Sequence, residues 1–170
     1  MAEKPPKFDP YGVLQALDRH RVTFIVIGGF ARVIQGTEEI TRGIDIVPST
    51  RSENLPRLDA ALREIGAERP DGQELAIDAT MAEQPLIELI SDHGEVKVVP
   101  TPAGTRGYDD LRRAANREPL GRGVRPSVAS IGDLARMLSA LGSEQHLGEL
   151  RQLRRLVELE RGRQTRALER

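Results

Sequence analysis

The sequence contains no cysteine. Disulfide scaffolds, thiolate zinc sites and cysteine nucleophiles are therefore excluded. It contains no tryptophan and only 3% aromatic residues, so it offers no stacking platform for unpaired bases. An excess of either charge is missing too. Lys and Arg number 25 and Asp and Glu 26, a formal net charge of −1, which excludes coating of nucleic acid by bulk positive charge. No apolar run approaches the roughly 18 residues of a membrane span. The opening stretch Met1 to Lys7 lacks the apolar centre of a signal peptide, so a cytoplasmic location is expected. What is present suffices for one packed domain with a helical appendage: 170 residues, 38% of them hydrophobic and 30% charged.

Asp9-Pro10 reads as an N-cap followed by the first residue of a helix, because proline lacks only a donor that is orphaned there. Val13, Leu14 and Leu17 give that helix its apolar face to about His20. Residues 22–27 are β-branched and continuously apolar, which predicts a strand buried on both faces. Gly28-Gly29 ends it, and residues 30–35 read as a short helix closed by Gly36. Ile44 to Val47 is the second strand, stopped by Pro48. Ser49 or Ser52 is the expected cap of a helix whose stripe is Leu55, Leu58, Ala61, Leu62 and Ile65, with Gly66 as its stop. Short strands are expected at 75–77 and 86–90. Ser91 to Gly94 reads as a hairpin turn leading into a strand over 96–99. A helix over 108–115 follows, then an irregular or edge segment over 122–128. Ser130 caps a helix through Leu141, and a last helix runs from about Ser143 to about Glu160. The order predicts an α/β (α+β) fold, a mixed sheet flanked by helices with C-terminal helices. The expected organisation is a core over 1–128 with 1–8 as a flexible arm, a helical part over 129–162, and a basic tail over 163–170.

Two pieces carry chemistry together. Gly28-Gly29 at a strand-to-helix turn lets the backbone approach a ligand, and the helix start offers N–H donors to phosphate. Thr41-Arg42-Gly43-Ile44-Asp45 then enters the next strand, where a carboxylate can hold Mg2+ against that phosphate. Gly28-Gly29-Phe30-Ala31, Gln35-Gly36, Thr41 to Pro48 and Asn54-Leu55 resemble the minimal nucleotidyltransferases of the DNA-polymerase-β-like superfamily, in particular the AbiEii-type toxin branch. Asp92 to Val98, Gly107 to Leu111 and Val128 to Met137 continue the likeness over roughly residues 10–160.

The resemblance implies a nucleotidyltransferase-like fold. It also implies transfer of NMP from an NTP to an RNA acceptor such as tRNA, assisted by Mg2+, and a cognate antitoxin as partner. Asp45 would be the catalytic metal ligand, and Gly28, Gly29, Thr41, Arg42 and Lys97 would line the nucleotide site. The pattern's first acidic position is Gly43 here, and its third is Lys97. Glu39 replaces a common Arg, Leu138 a common Lys, and Ser143 and His146 stand where relatives carry Arg and Asp. One carboxylate holds two divalent ions poorly, and a lysine beside it repels them.

Three accounts stay open. The chain is a binding module that kept the fold without the catalysis. Or Glu95, on the same strand face as Lys97, substitutes as a second catalytic carboxylate. Or Asp92 or Asp78 supplies the third acid. The bland reading of Asp45 is an internal ion pair to Arg42 or Lys97, since a buried carboxylate needs a partner. His20, His93 and His146 show no metal spacing. Arg151, Arg154 and Arg155 lie on one helical stripe, either tracking RNA phosphates or forming a solvated face paired with Glu158 and Glu160.

Overall fold

The computed structural model describes residues 7–142 and 144–169. In chain order the elements are α1 (Pro10–Arg19), β1 (Phe24–Ile27), α2 (Gly28–Gln35), β2 (Gly43–Pro48), α3 (Asn54–Glu64), β3 (Ile87–Ser91) and β4 (Gly94–Val98). They continue with α4 (Tyr108–Leu111), β5 (Asn116–Arg117), β6 (Ser127–Val128), α5 (Ile131–Leu141) and α6 (Leu147–Leu168). Short 3-10 turns cover Ala79–Glu83 and Glu144–His146.

The strands form a single mixed sheet in the order β3-β4-β2-β1-β6-β5. β1 and β2 are antiparallel, β2 and β4 parallel, and β3 and β4 an antiparallel hairpin closed at Gly94, φ +109°. All four residues of β1 are buried, as the continuous apolar run predicts. β2, β3 and β4 alternate instead. Ile44, Ile46, Ile87, Leu89, Val96 and Val98 enter the core. Gly43, Asp45, Glu88, Ile90, Glu95 and Lys97 share the opposite face and stay partly or fully exposed. Under the sheet α1 packs on α3. At the other end α2 lies against β1 and β2 and reaches α5, which packs on α6.

Buried Asn54 joins three elements. Its side chain accepts from Thr23 N (2.7 Å) and donates to Thr23 O (2.9 Å) and Ser49 O (2.8 Å). The start of α3 is thus fastened to the start of β1 and the end of β2.

Several expectations are corrected. Neither Ser49 nor Ser52 caps α3: its preceding residue is Glu53, already in helical conformation, and Asn54 ties the helix start instead. Residues 75–77 form no strand, although Leu75 and Ile77 are buried. The carbonyl of Leu75 accepts from Arg63 Nη2 (3.0 Å) rather than from a neighbouring strand. The helix expected over 108–115 stops at Leu111. Residues 127–128 are not an edge but lie between β1 and β5. Phe8 is no flexible arm, because its ring meets Phe30 edge-on at 5.7 Å. The expected basic tail is helical, since α6 continues to Leu168. Its anchoring side chains are Leu150 and Leu153, with Leu156 and Val157 half-buried. From Glu158 onward every described residue is exposed. Residues 1–6 of the arm, Ser143 and Arg170 of the tail lie outside the described residues.

Candidate functional site

β1 ends at Ile27 and the chain turns into α2 through Gly28, whose φ is +73°. Register places Ile27 opposite Asp45, so the Asp45 carboxylate stands beside this turn. A Cβ built on Gly28 would lie 2.9 Å from Asp45 Cγ. Both the left-handed backbone and the contact thus require glycine there. Asp45 is half-buried, and no hydrogen bond or ion pair within 4.0 Å holds it among the described residues. The charges nearest it are Lys97, Arg32 and Glu95. Burial, joined by the repulsion of Glu95, raises its pKa above the usual carboxylate value against the opposing pull of Lys97 and Arg32.

The internal ion pair anticipated for Asp45 is therefore not formed. Lys97 is its register partner on β4 but forms no ion pair with it within 4.0 Å, and it also lines a shallow cleft of about 170 Å³ on the β3 side. Glu88, Ile90, Glu95 and Pro70 line that cleft with it. Arg42 is exposed.

On the other flank, Gly29 opens onto Arg32, Glu39 and Thr41. A Cβ there would stand 3.6 Å from Arg32 Nη2, 3.8 Å from Glu39 Oε1 and 3.8 Å from Thr41 Oγ1. Thr41 itself donates to Gly43 O (2.9 Å). Arg32 and Glu39 form a fork: Nε donates to Oε2 (2.9 Å) and Nη2 to Oε1 (2.8 Å), with side chains only 12% and 9% exposed. Thr37 Oγ1 adds a 2.6 Å bond to Glu39. Burial pushes Glu39 up, but bonds from Arg32 and Thr37 and the charges of Arg32 and His146 outweigh it and hold its pKa below the usual value. Sequence reasoning did not join these two residues. The available signal was an acid at position 39 where the resembled pattern has an arginine. α6 fastens the same loop, for Gln152 Oε1 accepts from Glu38 N (2.9 Å) and Leu156 covers Gly36.

Gly43 is fixed by close strand approach. A Cβ there would lie 2.7 Å from Glu95 Cβ and 2.9 Å from the Glu95 carbonyl carbon. An aspartate at 43 requires the backbone of β2 or β4 to move. The other acids considered stand elsewhere. Asp92 faces Gly66 beyond α3, and Asp78 caps the 3-10 turn, accepting from Thr80 N (2.9 Å). His20 meets Glu64 (3.5 Å) and His93 meets Asp9 (3.6 Å). No group of three or more acidic or histidine side chains able to hold a metal exists among the described residues. Asp45 and Glu95 with Lys97 between strands do not fit a pair of divalent ions. At an effective dielectric of about 20, a divalent ion roughly 5 Å from an ammonium meets a repulsion of several kcal/mol.

No family model matches the chain, and no curated protein matches it. Solved structures do. The lincomycin-bound lincosamide antibiotic adenylyltransferase LnuA superposes with a TM-score of 0.61 at 15% identity, over 88% of this chain and 99% of that one. The antibiotic-resistance factor ANT(2'')-Ia gives 0.56 at 14% identity, over 94% and 92%. A Thermotoga maritima protein assigned to the nucleotidyltransferases gives 0.54 at 17% identity, over 86% and 88%.

The fold is that of the nucleotidyltransferases. In this nucleotidyltransferase-like chain Gly28, Asp45, Lys97 and Glu95 come together on one sheet face beside the start of α2, with Gly29 and Thr41 on the adjoining flank. Arg42 lies at the entrance to β2, exposed. No helix among the described residues is long and apolar enough to cross a membrane.

Proposed function

We propose that this chain is a nucleotide-binding module on the nucleotidyltransferase-like fold that does not carry out two-metal transfer. The observation that carries the reading is the lone Asp45. It is half-buried and unpaired against Gly28, with a glycine that strand packing requires at 43 and a lysine at 97. A partly buried carboxylate without a partner costs free energy, and such groups cluster at functional sites. In this reading Gly28, Gly29, Thr41, Arg42 and Lys97 form the nucleotide cradle, and α6 fastens the adjoining chain at Gly36 and Glu38.

A second reading is transfer of NMP from an NTP, with Asp45 and Glu95 sharing one Mg2+. Its acceptor would be an RNA such as tRNA, as in the toxin branch with its antitoxin, or a small molecule, since the neighbours LnuA and ANT(2'')-Ia are antibiotic-modifying or antibiotic-resistance proteins. The exposed Arg151, Arg154 and Arg155 stripe on α6 favours an RNA.

Purified chain incubated with each labelled NTP, Mg2+ and, in turn, total tRNA, lincomycin and tobramycin separates the two. The binding-module reading expects NTP bound by equilibrium dialysis and no label on tRNA, lincomycin or tobramycin. Label transfer that is lost in Asp45→Asn would establish the enzyme instead.

A further inference from the structure

We propose that Lys97 is the resident cation of the Asp45 site, which takes the phosphates of a nucleotide without a divalent ion. The inference rests on the nucleotide reading above and assigns the counter-charge within it. Lys97 is the register partner of Asp45 on β2 and of Glu88 on β3, and Glu95 precedes it on the same strand face. Register thus puts Lys97 beside Asp45, Glu88 and Glu95 on one face of the sheet. None of the three closes an ion pair with it within 4.0 Å among the described residues, so its donors are not consumed internally.

The other nearby cation is differently disposed. Arg32 is engaged by Glu39 in a buried fork, which leaves Lys97 and the exposed Arg42 to meet an incoming anion. Asp45 and Lys97 cancel in charge, and position 43 adds none. No group of three or more acidic or histidine side chains able to hold a metal lies here among the described residues. Glu88 and Glu95 are solvent-exposed and screened. The same lysine that attracts a phosphate repels Mg2+, so the two ligand classes are affected in opposite directions.

The test is calorimetric binding of ATP at matched ionic strength, once in excess EDTA and once in excess Mg2+. The expected result is a Kd in EDTA equal to or below that in Mg2+. Lys97→Glu weakens binding in EDTA by at least about tenfold and makes Mg2+ favourable, whereas Lys97→Arg, which keeps the positive charge, retains the sign of the Mg2+ effect. Reversal of the Mg2+ effect is a readout that loss of packing alone does not produce. Binding by the unmodified chain that requires Mg2+, or Lys97→Glu that leaves binding in EDTA unchanged, overturns the assignment while the nucleotide reading survives. Absence of ATP binding in both buffers overturns the nucleotide reading itself, and this inference with it.

Discussion

Asp45→Asn is expected to stabilise the protein at neutral pH. The charged carboxylate is half-buried, has no hydrogen bond or ion pair, and burial raises its pKa. Folding therefore works against its ionisation. A raised pKa means that the folded chain binds the proton more tightly than the unfolded chain. The associated stability is fully present below the unfolded value, near 3.8, and is lost as pH rises through the folded value. An isosteric amide removes the charge and keeps the shape against Gly28. Relief of one such site is worth about 0.5–2 kcal/mol. In a chain of this size that is a rise of roughly 1–8 °C in Tm. The assay is thermal unfolding followed by circular dichroism from pH 4 to pH 8, for both proteins. The advantage of Asp45→Asn should shrink as pH falls, because the unmodified chain then protonates. A fall in Tm at pH 7 of the size of a broken ion pair would refute the reasoning, since it would mean that Asp45 has a stabilising partner.

Gly28→Ala should destabilise by about 1–2 kcal/mol from the left-handed backbone alone, and further from the contact with Asp45. In a double-mutant cycle with Asp45→Ala, denaturant titration should recover the contact part and leave the backbone part. Glu39→Gln leaves the Arg32 guanidinium buried without its counter-charge and should cost about 3 kcal/mol. Because the Glu39 pKa is lowered, its contribution is present above the unfolded value and lost as pH falls through the folded one. The urea midpoints of the two proteins should therefore converge in acid. Leu153→Ala should cost about 2–5 kcal/mol, because the side chain is fully buried. Truncation after Glu158 removes only exposed helix and should change Tm by less than about 2 °C.

Much of the fold was legible because its signals are local. The run through β1, the stripe of α3, the hairpin at Gly94 and the cap at Ser130, whose Oγ accepts from Asp133 N at 3.0 Å, each depend on residues close in sequence. That Asp45 stands on the same strand face as Gly43 was legible for the same reason, since period-2 alternation fixes which face a strand residue occupies. The failures share a cause. Leu75 and Ile77 have strand-like composition, but a strand needs a hydrogen-bonding neighbour, and Arg63 takes the carbonyl of Leu75 instead.

By itself, then, the sequence determined the α/β class, most of the element order, and the gathering of Gly28, Gly29, Thr41 and Asp45 around one strand-to-helix turn. Only the tertiary structure decided how those charges are used. It left Asp45 without the ion partner that burial leads one to expect, set Lys97 beside it in register without closing the pair, and locked Arg32 onto Glu39. It also made Gly43 a packing requirement rather than a bare loss of a carboxylate. The physical reason is range. Backbone preference and hydrophobic period act over a few residues. Which charges meet depends on strand register and on distances between segments far apart in the chain, fixed only when the sheet closes.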